Sequence, residues 1–233
     1  MSTLAQFETR ISAALVDSSN SVFPLTVVDE ALRTALSEYT TALPLATETY
    51  ITLPGTGREI ALNNLAGLIA VLDVWWPFDP LTEVWPPNMV AGFRVWWDDA
   101  QPLLLLASKS ANQPKINDNL RIWYTRPHMI QNLDSAAITS VFPNHESAIV
   151  GGAAAYCAIS ETRHQTGTIR IDPTEVPALQ NWGNIKLQQW HDFLASLAAA
   201  SPSFGAPFAD GWGIDKWDAN RGSSQSRPWT YPY

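Results

Sequence analysis

The chain has 233 residues, of which 46% are hydrophobic and 15% charged, enough for a substantial core in one large domain or two small ones. Its formal net charge of −8 argues against a protein that binds the phosphate backbone of nucleic acid, because such binding needs clustered Lys and Arg. No apolar run approaches the roughly 20 residues of a membrane span. The opening residues MSTLAQFETR do not have the pattern of a signal peptide, so we expect a soluble globular protein that is not exported by that route.

Cysteine and tryptophan are the residue types whose counts are informative. The single cysteine, Cys157, excludes an internal disulfide and a multi-cysteine zinc site, and its setting in GGAAAYCAIS predicts a small core residue. Tryptophan occurs eleven times. Five tryptophans lie in doublets or beside a tyrosine in predicted strands, namely Trp75, Trp76, Trp96, Trp97 and Trp123. Large rings in such positions cover a half-buried sheet or lie at an interface.

Two helices joined by a short turn are predicted at the start of the chain. The first has an apolar stripe of helical period that ends in the polar run DSSNS and comprises Leu4, Phe7, Ile11, Ala14 and Leu15. The second stripe runs from Val28 to Leu43 and stops before Pro44. Thr26 is expected to cap this second helix, with Asp29 as a weak capping-box partner.

After Pro44 the apolar period changes to two, which predicts strands. TYITL, GTG and REIAL predict a β-hairpin with a tight glycine turn, with Tyr50 and Thr52 on one face and Ile51 and Leu53 on the other. Four further strands are predicted, at 68–76, 93–97, 102–107 and 120–124, separated by prolines and by the turn pair Asp98-Asp99. Residues 45–126 should therefore form an antiparallel sheet or small sandwich.

Helical patterns return after Pro143. HESAIVGGAAAYCAISETR predicts a helix whose small residues would let another helix approach closely, and a last helix is predicted at about 178–200. The predicted fold class is α+β: a bundle of about four helices, formed by 1–44 and 127–200, with an inserted antiparallel β module, 45–126. Residues 218–233 have no repeating apolar face, and residues 201–233 are predicted to be an extended C-terminal arm that orders on a partner, with a plain disordered tail as the alternative.

The sequence contains no motif for catalysis, a cofactor or a metal. None of the four histidines belongs to an HExxH motif, there is no GxSxG, and GTGREI has too few glycines for a phosphate loop. Glu161 and His164 have the Glu-x-x-His spacing of a carboxylate-bridged metal site, but that site needs a second copy, which the chain does not have. Asp73 and Asp79 near Trp75 and Trp76 leave a glycosidase as a hypothesis, less favoured than a surface turn beside interface aromatics.

The order of elements resembles a known family. The stretches VVDEALRTALSEYTTALP, TYITLPGTGREIALNNLAGLIAVLDVWWPFD and NLRIWYTRPHMIQNLDSAAITSVFPNHESAIVGGAAAYCA resemble the head-to-tail adaptor, or connector, proteins of tailed bacteriophages. The resemblance covers roughly residues 1–200 and depends on a diffuse pattern. It implies a structural, non-enzymatic protein of the virion neck, made in the host cytoplasm, whose copies form a ring, commonly of twelve, beneath the portal.

The resemblance also implies partners: the portal protein, neighbouring adaptor subunits and a tail or neck protein below. DNA would only pass through the ring as cargo, and no membrane is involved. The resemblance also implies that the strand tryptophans contact a neighbouring subunit or the tail. The arm becomes a docking segment for the portal or a neighbour, through Phe204, Phe208, Trp212, Trp217, Arg221, Arg227, Trp229, Tyr231 and Tyr233.

Other function classes stay open at this point. A carbohydrate- or receptor-binding module of a phage tail would use the strand tryptophans as sugar platforms, and a hydrolase would need polar side chains that converge in a pocket. Within the structural class, the chain is also compatible with another neck ring such as the tail terminator. Helices on both sides of the strands favour the ring scaffold, since sugar-binding modules are usually all β.

Overall fold

A computed structural model describes residues 2–79, 88–90, 92–99, 101–106, 114–166 and 175–200. Four helices and six strands lie in these ranges. The helices are α1 (Leu4–Ala14), α2 (Leu25–Ala42), α3 (Glu146–Thr166) and α4 (Glu175–Ala200). The strands are β1 (Leu45–Thr52), β2 (Glu59–Ala61), β3 (Ala70–Trp75), β4 (Phe93–Asp98), β5 (Gln101–Leu106) and β6 (Asn119–Arg126). The predicted α+β class is confirmed, while the predicted arm lies outside the described residues.

The start of α2 differs from the prediction. The helix begins at Leu25, so Thr26 lies inside its first turn and the predicted cap is wrong. Pro24 precedes the helix with φ −56°, and its carbonyl accepts the N–H groups of Val27 and Val28 at 2.9 and 3.2 Å. Because proline fixes φ near the helical value and needs no hydrogen bond of its own, it starts the helix without a side-chain cap.

The four helices share one apolar core. Fully buried side chains of α1, α2 and α3 in this core include Phe7, Leu32, Tyr39, Ile149 and Cys157, and the segment between β6 and α3 adds Ile130 and Val141. Cys157 is therefore the core residue that was predicted, and burial raises the pKa of its thiol to about 12. None of the described helices is long and apolar enough to cross a membrane.

Helices α3 and α4 approach closely through two glycines. A Cβ on Gly152 would lie 2.7 Å from Cδ2 of Trp190, and one on Gly183 would lie 3.2 Å from Cγ1 of Ile159. Both distances are at or inside the limit of ordinary contact, so a side chain at either position would push the helices apart. The small residues of α3 thus permit the close packing that the sequence predicts.

The strands form two three-stranded antiparallel sheets, ordered β1-β6-β3 and β2-β5-β4. The predicted hairpin of TYITL and REIAL is wrong, because β1 pairs with β6 and β2 with β5. Leu53 continues past β1, exchanging backbone hydrogen bonds with Asp118 and Asn117, and the chain then crosses to the other sheet. Burial of Leu53 in the core of this module outweighs the local preference of the glycine run for a tight turn.

A second apolar core lies among the strands. It includes Leu62, Val74, Leu104, Leu120 and Ile122, all fully buried. The predicted alternation in β1 is confirmed: Ile51 packs against this core and Leu53 lies within it, whereas Tyr50 is 52% exposed. The proposed domain limits at residues 44 and 127 stay a prediction.

His128 joins the two places where the chain passes between the helices and the strands. Its ring Nε2 lies 2.9 Å from the carbonyl oxygen of Leu43, directly after α2, and its backbone N–H donates to Thr40 Oγ1 at 3.1 Å. The ring packs on Tyr39 with centroids 4.7 Å apart. One buried side chain therefore connects the end of α2 to the chain that leaves β6.

Candidate assembly surface

The outward side of the β1-β6-β3 sheet carries two rows of polar and aromatic side chains. Cross-strand pairing aligns Tyr50, Arg121 and Trp75 in one row. The neighbouring row is Glu48, Trp123 and Asp73. Residues directly opposite on one face of an antiparallel pair interact through their side chains, so each row is a continuous contact across three strands. These six residues together with Phe78 are called the outer aromatic face below.

Arg121 is the centre of the outer aromatic face. Its Cζ lies 4.8 Å from the ring centroid of Trp75 and 5.1 Å from that of Trp123. Phe78 and Tyr50 contribute two more rings, with centroids at 5.5 and 5.7 Å. Arg121 Nε also donates to Glu48 Oε2 at 2.9 Å, and Arg121 Nη2 contacts the same oxygen. A guanidinium held over several rings orders both itself and the rings.

The sequence did not single out Arg121. The only pattern that could have done so is the alternation in NLRIWYTR, which places Arg121 and Trp123 on the same side of β6 and opposite Ile122. The four-ring environment depends on β1, β3 and the residues that follow β3, and these lie far away in sequence.

Three of the five strand tryptophans, Trp75, Trp76 and Trp123, are partly buried and contact other side chains of the protein. The Nε1–H of Trp75 donates to Asp73 Oδ2 at 2.6 Å, and that of Trp76 donates to Asp118 Oδ2 at 3.1 Å. The rings of Trp75 and Trp123 already face Arg121. A sugar platform needs a free ring face, so these two residues do not form a ready one.

Trp96 and Trp97 on β4 differ from the other three. They are 53% and 59% exposed, at the end of a strand that pairs only with β5 among the described strands. Adjacent residues of a strand point to opposite sides, so the two rings face different directions and do not make one continuous platform. Phe93 and Val95, earlier in the same strand, pack against the strand core.

Asp73, one of the two carboxylates considered for glycosidase chemistry, has structural partners. Asp73 is buried; its Oδ1 accepts the Val74 N–H at 2.7 Å and its Oδ2 accepts the Trp75 indole. Asp98 ends β4 and Asp99 has φ 43°, as a residue of the predicted turn between β4 and β5. Glu161 is on α3, while the side chain of His164 lies outside the described residues. No group of three or more His, Cys, Asp or Glu side chains in the described ranges is arranged to hold a metal ion.

The structure does not bring all predicted contact residues together. Trp75 and Trp123 share the outer aromatic face, Trp96 and Trp97 lie on the other sheet, and Trp76 follows β3. The predicted docking residues of 201–233 lie outside the described residues. A role for any of these residues in contacts to a neighbour, the portal or the tail stays a prediction.

Comparisons with known proteins give weak likenesses. No protein family and no curated protein matches the chain. Among solved structures, the chain is similar to a protein in the neck of an empty GTA particle, computed with C6 symmetry, at 18% identity over 80% of this chain and 87% of that one, with a TM-score of 0.28. The neck of a native GTA particle, computed with C12 symmetry, gives 19% identity over 80% and 86% of the two chains, with a TM-score of 0.29.

A third likeness is to the virion of a native gene transfer agent (GTA) particle, at 17% identity over 80% of this chain and 87% of that one, with a TM-score of 0.27. The solved structures that resemble the chain therefore include neck and virion assemblies of a phage-like particle. With TM-scores this low, these likenesses do not determine the function of the chain.

Proposed function

We propose that the chain is a structural protein of a virion neck: a head-to-tail adaptor whose copies form a ring between the portal and the tail. The sequence resemblance over residues 1–200 and the observed α+β fold support this proposal. The observation that carries it is the exposed pair Trp96 and Trp97 on β4. Aromatic side chains are enriched at protein interfaces, and two exposed tryptophans facing different sides offer two different contacts.

Two different contacts are what a ring subunit needs. Each copy in a closed ring meets one neighbour with one patch and the other neighbour with a second patch. A partner above or below needs further surface. The acidic balance, with a net charge of −8, suits a ring that DNA crosses without being held, since phosphates are repelled by acidic side chains.

The proposed partners are neighbouring copies, the portal protein and a tail or neck protein, and the proposed location is the virion neck. The segment 201–233 is the proposed docking arm for the portal or a neighbour. No cofactor and no enzymatic step form part of the proposal.

The test combines assembly with substitution of the two tryptophans. The chain is mixed with its cognate portal protein and studied by native mass spectrometry and electron microscopy, and a ring of twelve 25.7 kDa chains would add about 310 kDa to the portal. Trp96→Ser and Trp97→Ser should each weaken ring formation by about tenfold or more, since buried tryptophans are frequent interface anchors. Their effect on chain stability should stay within about 0.5 kcal/mol, because both rings are exposed.

The control has to be an exposed apolar residue away from every proposed contact surface. Because Ile185 adjoins Lys186 on α4, Ile116→Ser is the better control: Ile116 is an exposed apolar residue before β6, and its substitution should leave ring formation unchanged if the two tryptophans act as specific anchors. A chain that stays monomeric with the portal at every concentration, or that binds glycans through Trp96 and Trp97, would contradict the adaptor proposal. Binding to the tail end and not to the portal would instead favour a tail terminator.

A further inference from the structure

The end of α1 has an unusual residue in a well-known motif. Asp17 N–H donates to the Ser12 carbonyl at 2.9 Å and Val16 N–H donates to the Ala13 carbonyl at 3.2 Å, which is the pair of bonds that defines a Schellman motif. The residue at the Val16 position of this motif is usually glycine because its φ is positive. Val16 has φ 58° and is 93% exposed. A β-branched residue is strained in this conformation and gains nothing from burial in its own chain.

The turn that presents Val16 is held firmly. The carboxylate of buried Asp17 accepts the backbone N–H groups of Ser21, Val22 and Phe23 at 3.0, 2.9 and 2.8 Å. These three bonds are the main reason why the pKa of Asp17 is lowered. The same turn also exposes Val22 and Leu25, at 48% and 43%. Val16, Val22 and Leu25 are called the apolar tip below.

A groove of about 190 Å³ lies between α3 and α4, far along the chain from the apolar tip. It is lined by Ser147, Ala148, Gly151, Gly152, Lys186, Gln189 and Trp190. A cavity of roughly 150 Å³ can hold benzene, so this groove has room for a branched aliphatic side chain. Whereas Gly152 packs directly against Trp190, a Cβ on Gly151 would meet no atom within 4 Å. The groove is therefore open at Gly151.

Charge also matches between the apolar tip and the groove. Residues 15–33 contain Asp17, Asp29 and Glu30 and one cation, Arg33, which pairs with Glu30 and with Asp134, so the formal charge of this segment is about −2. In the groove segments 147–160 and 176–190, Lys186 is the only charged residue. An acidic helix end that approaches a lysine at the rim of a groove is attracted and oriented by it. Because Val16 is almost fully exposed, it does not occupy the groove of its own chain.

We propose that the apolar tip of one copy inserts Val16 into the α3–α4 groove of a second copy of this chain. The contact is heterologous, since one copy supplies the tip and the other the groove, and such contacts can close into a ring. This inference rests on the proposed ring, and it adds a specific pair of contacting surfaces in the helices. It also explains why valine occupies a position where glycine would give a more stable turn.

Two substitutions separate assembly from folding. Val16→Gly relieves the positive φ and should raise the denaturation midpoint of the monomer, yet weaken ring formation by about tenfold or more. Gly151→Leu fills the open groove with a better helix former and should have the same two effects. Ile138→Ala, at another exposed apolar position, is the control that should change neither. Ring formation that is unchanged in both Val16→Gly and Gly151→Leu would overturn the inference.

Cross-linking tests the contact directly. Val16→Cys and Gly151→Cys chains are mixed with the portal protein under mild oxidation, while the native Cys157 stays buried. A disulfide should form in the mixture and in neither variant alone. Rings without a mixed disulfide, or a Val16→Cys disulfide formed by that variant alone, would overturn the inference and leave the ring proposal intact. If neither a ring nor a disulfide forms, both proposals fail.

Discussion

Glu38 in the helices and Arg121 on a sheet each lie among aromatic rings. Glu38 of α2 accepts the Tyr156 O–H at 2.6 Å and the Trp190 Nε1–H at 2.7 Å, one on each carboxylate oxygen. Arg121 lies on the outer aromatic face, with four rings around its guanidinium. The glutamate satisfies donors at the junction of three helices, whereas the arginine orders rings at a surface. Loss of the first should therefore disturb folding, and loss of the second should mainly disturb a surface.

Glu38→Ala should have the largest effect on stability. It leaves the hydroxyl of Tyr156 and the indole N–H of Trp190 without their acceptor, and each hydrogen bond to a charged group contributes about 1.5–3 kcal/mol. We expect the free energy of unfolding to fall by about 3–5 kcal/mol, measured by urea denaturation and circular dichroism at 222 nm.

Glu30→Ala is the matched control on the same helix. Glu30 pairs with Arg33 at 2.6 Å, but its side chain is 72% exposed. Exposed ion pairs contribute about 0–1 kcal/mol, so this variant should be almost as stable as the unmodified chain. Equal losses in the two variants would mean that the Glu38 junction has no special role in the core.

Arg121→Ala should cost less, about 1–2 kcal/mol, because contacts between a cation and rings are worth about 0.5–2 kcal/mol and the sheet core below remains intact. The rings that face Arg121 should become mobile, which side-chain NMR of Tyr50 and Trp75 would detect. Arg121→Lys keeps the charge but loses the flat stacking surface and should recover only part of the loss. Full recovery by lysine would show that charge alone is responsible. Arg94→Ala, at an exposed position of β4, should have no measurable effect.

Local patterns predicted the elements better than their partners. Period two in TYITL correctly separates exposed Tyr50 from inward Ile51, because alternation is a property of the strand itself. The pairing of β1 with β6 was missed, since it depends on burying Leu53 and Leu120 together across a long stretch of chain. The sequence pattern also could not tell that Trp97 is exposed while Trp123 packs against Arg121. Both tryptophans lie in similar apolar strands, and only their cross-strand neighbours differ. The same limit hid Glu38, which occupies an ordinary polar position of an amphipathic helix until α3 and α4 pack over it.

The smallest effect is a pH dependence from His128, the residue that links the end of α2 to the chain after β6. Burial lowers the pKa of His128, and His145 and Arg126 lower it further, against the opposing effect of the carbonyls of Ser140 and Leu43. The folded chain therefore keeps the imidazole neutral at a pH where the unfolded chain, with a histidine pKa near 6.5, binds a proton. Stability should be fully present above about pH 6.5 and fall below it, by at most about 1.4 kcal/mol per pH unit for one proton.

Urea denaturation at pH 7.5 and at pH 5.5 measures this effect in the unmodified chain and in two variants. His128→Gln keeps a donor that can reach the Leu43 carbonyl but does not titrate, so the difference between the two pH values should shrink. His191→Gln, at an exposed position of α4, should leave the difference unchanged. The carboxylates with lowered pKa values, Asp17 and Glu146, stay ionised in the folded chain throughout this range and do not obscure the comparison. If His128→Gln kept the full pH dependence of the unfolding free energy, the acid sensitivity would come from another titratable group. The neutral imidazole of His128 would then not contribute to the pH dependence.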